Sequence, residues 1–331
     1  MHDVGMKYRF LGDSGLLVSV FGLGLMVQDD SREDGAYELM TRAYASGVNF
    51  FDTAEVYGAG NSERVVGRVI ERGAAAGDLV ISTKLLFGPT GGPNARGLSR
   101  KHLVEGVKGS LTRLGLEYTD VLFCHRPEKY TPMEEIVCAM SFVIDQGLAF
   151  YWGTSEWQET DILEACEIAD RLVSCPQYNL IERSEVEVDF QSLYKKYKLG
   201  LTTWSPLAFG VLTGKYADGI PEQTRLSNEY FANMIGDVNE RAAQVEKLRP
   251  IADELGCTLA QLALAWAASN ANVSTVLLGA KTLTQLDENL KAFVFVEKMT
   301  AEVKSKIDAI LPFEYKPAAY DGYYTIRKQY L

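Results

Sequence analysis

Asp52, Tyr57, Lys84 and His125 offer a carboxylate, a phenol, an ammonium and an imidazole, each at or just after the end of an apolar run. The runs are NFFDTAEVY (Asn49 to Tyr57), LVISTK (Leu79 to Lys84) and DVLFCH (Asp120 to His125). Lysine and aspartate seldom end a buried strand unless they are paired. Three such endings in succession point to one site assembled from several strands. The set is a proton-donating device. Free tyrosine titrates near about pH 10, and an adjacent ammonium lowers that value by favouring phenolate. Lys84, held by Asp52, is placed to supply the ammonium, and His125 to hydrogen-bond a carbonyl beside the Tyr57 hydroxyl. A carbonyl polarised by two donors is primed to accept hydride. A protein has no hydride of its own, so a nicotinamide cofactor is implied. Each residue alone has a plain structural reading, an ion pair under a rim or a tyrosine after a strand. Their joint placement on consecutive strand ends carries the chemical one.

The elements that position these side chains alternate between strand and helix. KYRFLGDSGLLVSVFGLG reads as a hairpin, turning at Gly12 to Gly15, that leads into a strand at Val18 to Leu25. Further strands are expected at Asn49–Asp52, Leu79–Thr83, Asp120–Cys124, Phe150–Thr154, Ser174–Tyr178, Gly200–Trp204 and Ser274–Leu278. Helical patterns lie between them at Arg32–Ala45, Ser62–Ile70, Ser99–Leu114 with a serine cap, Pro132 to about Gly147 with the proline at its first position, Glu159–Arg171, Glu185–Tyr197, Asn239–Leu255 and Thr258–Ser269, with a last helix from Thr284. Short, apolar strands alternating with helices imply a parallel sheet. Eight such units in one 331-residue domain, with no linker to divide it, suit a closed (β/α)8 TIM barrel. The barrel carries an N-terminal β-hairpin, a long loop after strand 7 (Leu207 to Asp237) and a C-terminal tail after Leu311. A doubly wound sheet would want a GxGxxG turn after the first strand, and Gly22-Leu-Gly24 has no third glycine at the right offset. In a barrel the strand ends Leu25, Asp52, Lys84, His125, Ser155, Gln177, Ser205 and Gly279 would face one cavity.

Composition narrows the classes. The net charge is −11, which argues against nucleic-acid and anionic-membrane partners, so any phosphate ligand needs a local basic pocket. No apolar run approaches a membrane span, and MHDVGMKYRF has no signal-like core or inactivation peptide. The five cysteines are odd in number, widely spaced and without a CxxC pair, as expected of reduced cytoplasmic thiols. One histidine and one carboxylate do not make a metal site. Ser155 and Ser205 lack a positioned base.

GVNFFDTAEVYGAGNSERVVG, together with Lys84 and His125, resembles the aldo-keto reductases, and the resemblance covers nearly the whole chain. MKYRFLGDSGLLVSVFGLG, RGLSRKHLVEGVKGSL, RPEKYTPMEEIVCAM, YWGTSEW, TWSPLAFGVLTGKY and VLLGAKTLTQLDEN look like the branch that contains the potassium-channel β subunits. The resemblance implies a catalytic tetrad of Asp52, Tyr57 as general acid, Lys84 and His125. It implies NADPH or NADP+ bound in extended form without a Rossmann domain. Gly24, Leu25, Met26 and Asp52 match its near side, and Ser155 and Gln177 match positions that hold the carboxamide. Trp204 matches the aromatic stacked on the nicotinamide. Ser205, Pro206, Leu207, Ala208 and Gly210 match the pyrophosphate loop, with Lys215 and Arg225 as its basic residues. Gly279, Lys281, Gln285, Glu288 and Asn289 match the adenosine-phosphate end, where a helix N-terminus attracts phosphate. The plain alternatives are a solvated lysine for Lys281 and a core aromatic for Trp204.

Two departures bear on function. Animal channel subunits generally carry asparagine where this chain has His125, the usual residue of active reductases in the wider family, which favours turnover. GLGLMVQDDSRED is shorter than the corresponding channel-subunit segment and has Leu25-Met26 where relatives often have Thr-Trp. Contacts to a small carbonyl substrate are expected from Met26, Tyr57, His125, Glu156 and Trp157, with the tail tyrosines Tyr320, Tyr323 and Tyr324 left open. The resemblance also leaves a homo-oligomer open, a tetramer if the chain acts as a channel subunit.

Overall fold

The computed structural model describes residues 5–27, 29–74, 78–89, 91–169, 172–222 and 224–331. Strands β1 (Tyr8–Phe10) and β2 (Leu17–Ser19) form an antiparallel hairpin. Eight parallel strands close into a barrel: β3 (Phe21–Gly24), β4 (Phe50–Asp52), β5 (Val80–Leu85), β6 (Thr119–Cys124), β7 (Ala149–Thr154), β8 (Leu172–Ser174), β9 (Gly200–Thr203) and β10 (Val273–Leu278). The last of these pairs with β3, so the sheet has no edge. The barrel expected from the sequence is the fold observed.

The hairpin plugs the bottom of the barrel. Leu11 and Val18 join Phe50, Val80, Val121, Phe123, Val173, Cys175 and Leu277 in one interior cluster. Its turn lies so close to β9 that a Cβ on Gly12 would sit 2.6 Å from the Gly200 nitrogen. Asn49 ties the plug to β4, because its Oδ1 accepts from Ser19 N–H at 2.7 Å and its Nδ2 donates to the Leu17 carbonyl at 3.0 Å. A second, larger cluster fills the space between the sheet and the outer helices.

Several boundaries differ from the sequence reading, each for a local reason. Val18 belongs to the hairpin, and the first barrel strand begins only at Phe21. Strand β8 ends at Ser174 instead of running to Tyr178, because Pro176 has no N–H for a ladder. Only a single bridge, Gln177 to Trp204, continues the pairing. Pro132 is the cap of helix Met133–Asp145, one place before the position expected. The helix expected at Asn239–Leu255 is two, Val238–Glu246 and Arg249–Leu255, with Pro250 opening the second. The stretch from Glu185 opens as a π-turn to Asp189 before helix Gln191–Tyr197. Helix Glu159–Ile168 stops short of Arg171, which lies outside the described residues. Ser99 caps helix Arg100–Leu114 as expected, its hydroxyl accepting from His102 N–H at 3.3 Å. Among the described residues no helix is long and apolar enough to cross a membrane.

Candidate active site

Strand register gathers Asp52, Lys84 and His125 at one end of the barrel, and the turn Tyr57–Gly60 after β4 brings Tyr57 to them. Asp52 pairs with Gly24 on one side and Ser82 on the other, and Lys84 pairs with Phe123, two residues before His125. Asp52, Lys84 and His125 are buried, at 4%, 3% and 5% exposure, while Tyr57 stays partly exposed. Lys84 forms an ion pair with Asp52 Oδ2 and donates to the Thr53 carbonyl at 2.9 Å. Ser82 Oγ donates to the other oxygen, Asp52 Oδ1, at 2.7 Å. The ammonium stands 5.5 Å from the centre of the Tyr57 ring. Tyr57 and His125 meet edge to face, with centroids 5.8 Å apart.

Burial sets the protonation states. It raises the Tyr57 pKa above its ordinary value, and the opposing pull of Lys84 does not cancel it. The lowered phenol expected from the sequence is therefore corrected: Lys84 acts in the expected direction, but desolvation is the larger effect. Burial also acts to lower the Lys84 pKa, but Asp52, Tyr57 and Cys175 together outweigh it, and the ammonium is held charged. His125 is kept neutral by burial, then by the charges of Arg126 and Lys84. Its Nδ1 is buried with no hydrogen-bond partner. The site thus holds a protonated phenol, a fixed cation and a neutral imidazole.

Around this centre Trp204 directly follows β9, partly exposed, and its indole Nε1–H donates to Glu156 Oε1 at 2.8 Å. The same oxygen accepts from Gln177 N–H at 2.6 Å. Arg126, directly after His125, donates to the His125 carbonyl at 2.6 Å and to Ser155 Oγ at 3.1 Å. Its guanidinium lies 5.8 Å from the Trp204 ring centre and pairs with Asp321 of the tail at 3.2 Å.

The sequence profile of the aldo/keto reductase family matches residues 20–312. The chain belongs to the aldo/keto reductase family. Two plant proteins, from Oryza sativa subsp. japonica and Arabidopsis thaliana, each bear the name probable voltage-gated potassium channel subunit beta. Each is 48% identical to this reductase-family chain over 330 residues, covering 96% of it and 100% of the relative.

The remaining expected residues of this family member fall into three groups. Ser205, Pro206, Leu207, Ala208 and Gly210 form a tight double turn after β9, with left-handed backbone at Ser205, Ala208, Phe209 and Gly210. The Lys215 ammonium folds back over Gly210, where a Cβ would lie 2.5 Å from it. Arg225 reaches across the mouth to Met26, 3.7 Å from its sulfur, and lies over the Phe231 ring. Gly279, Lys281, Gln285, Glu288 and Asn289 cluster where β10 enters helix Leu283–Leu290. There Gln285 Oε1 accepts from Lys281 N–H at 2.8 Å and Asn289 Nδ2 donates to the Gly279 carbonyl at 3.3 Å. Glu288 accepts from Gln261 Nε2 and pairs with Lys291. Leu25 N–H donates to the Asp52 carbonyl at 2.7 Å, so the first loop is tied to the end of β4.

Two expected contacts sit differently from the others. Ser155 is 1% exposed, and its hydroxyl is engaged with Arg126 and with the Cys175 carbonyl. Trp157 is 1% exposed and lines a cavity of about 190 Å³ with Tyr324, Asp161 and Glu128 rather than opening at the mouth.

Several neighbours of the site escaped the sequence reading. Glu55, inside the FDTAEVY run, is fully buried and accepts from Leu86 N–H at 2.7 Å, Gly88 N–H at 2.9 Å and His102 at 3.2 Å. It thereby anchors the loop that holds Phe87 edge-on to His125, 5.2 Å away. A charged residue between Asp52 and Tyr57 was the available signal. The tail supplies Asp321, which nothing in its local sequence announced, and brings Tyr323, one of the tail tyrosines left open above, to 4.7 Å from Phe87.

Proposed function

We propose that this chain is an NADPH-dependent oxidoreductase that reduces aldehyde or ketone carbonyls, with Tyr57 as general acid. The observation that carries the reading is the buried Asp52–Lys84 pair set under a protonated phenol that stands edge-on to a neutral histidine.

The chain's own residues fit a nicotinamide dinucleotide phosphate. Trp204 offers a partly exposed ring to a planar ligand. The Gln177 side-chain amide makes no hydrogen bond among the described residues and is open to a carboxamide. Lys215 and Arg225 have no carboxylate partner among the described residues, in a chain of net charge −11. Arg225 is exposed at the mouth, where its guanidinium can meet an anionic ligand. Lys281 stands before helix Leu283–Leu290, whose N-terminus favours phosphate.

A nicotinamide cofactor bound there supplies the hydride. Tyr57 holds the proton that the carbonyl oxygen receives, and burial keeps it in place at neutral pH. Asp52 fixes and charges Lys84, whose ammonium then stabilises the phenolate left behind. His125 gives its single N–H to orient the carbonyl oxygen. Met26, Phe87 and Tyr323 are the side chains available to line the carbonyl's entry.

The test is NADPH consumption against a panel of aldehydes, ketones and quinones. Cofactor binding without turnover of any of them would sink the reading. Equal affinity for NADH would sink the roles given to Lys281 and Arg225.

A second reading, a regulatory channel β subunit, draws support from the 48% identity to the two plant proteins of that name. It requires a tetramer that co-purifies with a channel's cytoplasmic assembly domain. A monomer at high concentration in the ultracentrifuge would count against it.

A further inference from the structure

Glu156 stands out from its loop in two ways. Its backbone is left-handed, φ 58°, a region where glycine is at ease and a side chain is strained. Strain of this kind persists where the side chain is needed. Its Oε1 also receives both the Trp204 indole N–H and the Gln177 main-chain N–H, at 2.8 and 2.6 Å. The loop ends after β8 and β9 are already interlocked there. Tyr178 N–H donates to the Trp204 carbonyl at 3.3 Å, and Trp204 N–H donates to the Pro176 carbonyl at 3.2 Å. The carboxylate after β7 completes the lock by fixing the outer edge of the indole, a large flat side chain otherwise free to turn. Arg126 approaches the ring at 5.8 Å and Phe209 at 6.1 Å, neither with a hydrogen bond.

We propose that Glu156 is a positioning residue that fixes the Trp204 platform, and through it the nicotinamide end of the nucleotide, by accepting these two hydrogen bonds. The proposal rests on the nucleotide-binding reading above. Glu156 acts through Trp204, with its carboxylate spent on the platform, which replaces the substrate contact expected from the sequence.

The role needs an acceptor at Oε1, and a glutamine supplies one. Glu156→Gln is therefore expected to behave as wild type. Glu156→Gly removes the acceptor while giving the left-handed backbone the residue it prefers, so the fold is retained. Binding of two ligands separates positioning from general damage: NADPH, which has the nicotinamide, and adenosine 2′,5′-bisphosphate, which has only the adenosine end. By calorimetric titration E156G should bind NADPH about tenfold more weakly, with the bisphosphate unchanged to within about twofold. Unchanged NADPH affinity in E156G overturns the proposal. So do equal losses for both ligands, or an E156Q as impaired as E156G. A wild-type protein that binds neither ligand overturns the nucleotide reading itself. If E156G proves insoluble, Glu156→Met, which also lacks the acceptor, takes the same comparison.

Discussion

Tyr57 and His125 meet edge to face, their ring planes at 80°, and neither ring's polar group has a hydrogen-bond partner among the described residues. Two donors left unpaired side by side are ready for one acceptor, and a carbonyl oxygen is such an acceptor. Tyr57→Phe removes the proton and keeps the ring. Turnover should fall by at least about a hundredfold, as for loss of a general acid. Nucleotide affinity should stay close to wild type. Normal turnover in Y57F would remove Tyr57 from the chemistry.

The neutral state of His125 has a consequence for stability. Burial, Arg126 and Lys84 hold its folded pKa well below the ordinary value of about 6.5. Between the folded and unfolded values the unfolded chain binds a proton that the folded chain refuses, so stability rises with pH across that window. The contribution is complete above about pH 6.5 and is lost as the pH falls below it. His125→Asn should flatten the pH dependence of urea unfolding there by up to about 1.4 kcal/mol per pH unit. A parallel pair of curves for wild type and H125N would show that His125 titrates normally in the folded protein.

The Asp52–Lys84 pair is buried on both sides, so its two halves are not equivalent to remove. Asp52→Asn strands an ammonium in the interior and should cost about 3–5 kcal/mol. Lys84→Met leaves a carboxylate that still accepts from Ser82 Oγ, so its charge retains a partner. The double variant D52N/K84M has no stranded charge. It should be less destabilised than the sum of the single variants in denaturant titration. Additive losses would mean that the two groups do not depend on each other.

The barrel and the shared rim of Asp52, Lys84 and His125 were legible because both follow from periodic pattern. Apolar runs of strand length fix β4, β5 and β6, and a parallel register then places Asp52, Lys84 and His125 at one rim. What stayed hidden depends on contacts between distant segments. Glu55 reads as one more polar loop residue until the fold sets it beneath Leu86 and Gly88. The direction of the Tyr57 shift was misread because sequence names the neighbouring charge but not the depth of burial. The end of β8 was misplaced because Pro176 has no N–H to continue the ladder, and the residues after it belong to a loop.

The tail is the last segment whose role the geometry defines. Arg327 clasps Glu128 with bonds of 2.9 and 3.2 Å and Thr131 at 2.8 Å, while Lys129 N–H donates to the Tyr324 carbonyl at 3.1 Å. Held this way, Tyr323 packs on Phe87, which in turn packs on His125. Tyr323→Ala removes one aromatic pair, worth about 0.5–1.5 kcal/mol. The KM for a carbonyl should therefore change by about two- to twelvefold, with nucleotide affinity unaltered. Arg327→Ala leaves Tyr323 in place chemically but unclasps the segment that carries it. It should reproduce the KM change and also expose the chain beyond Leu311 to limited proteolysis. A KM that is unchanged in both variants would mean that the tail covers the barrel without meeting the substrate.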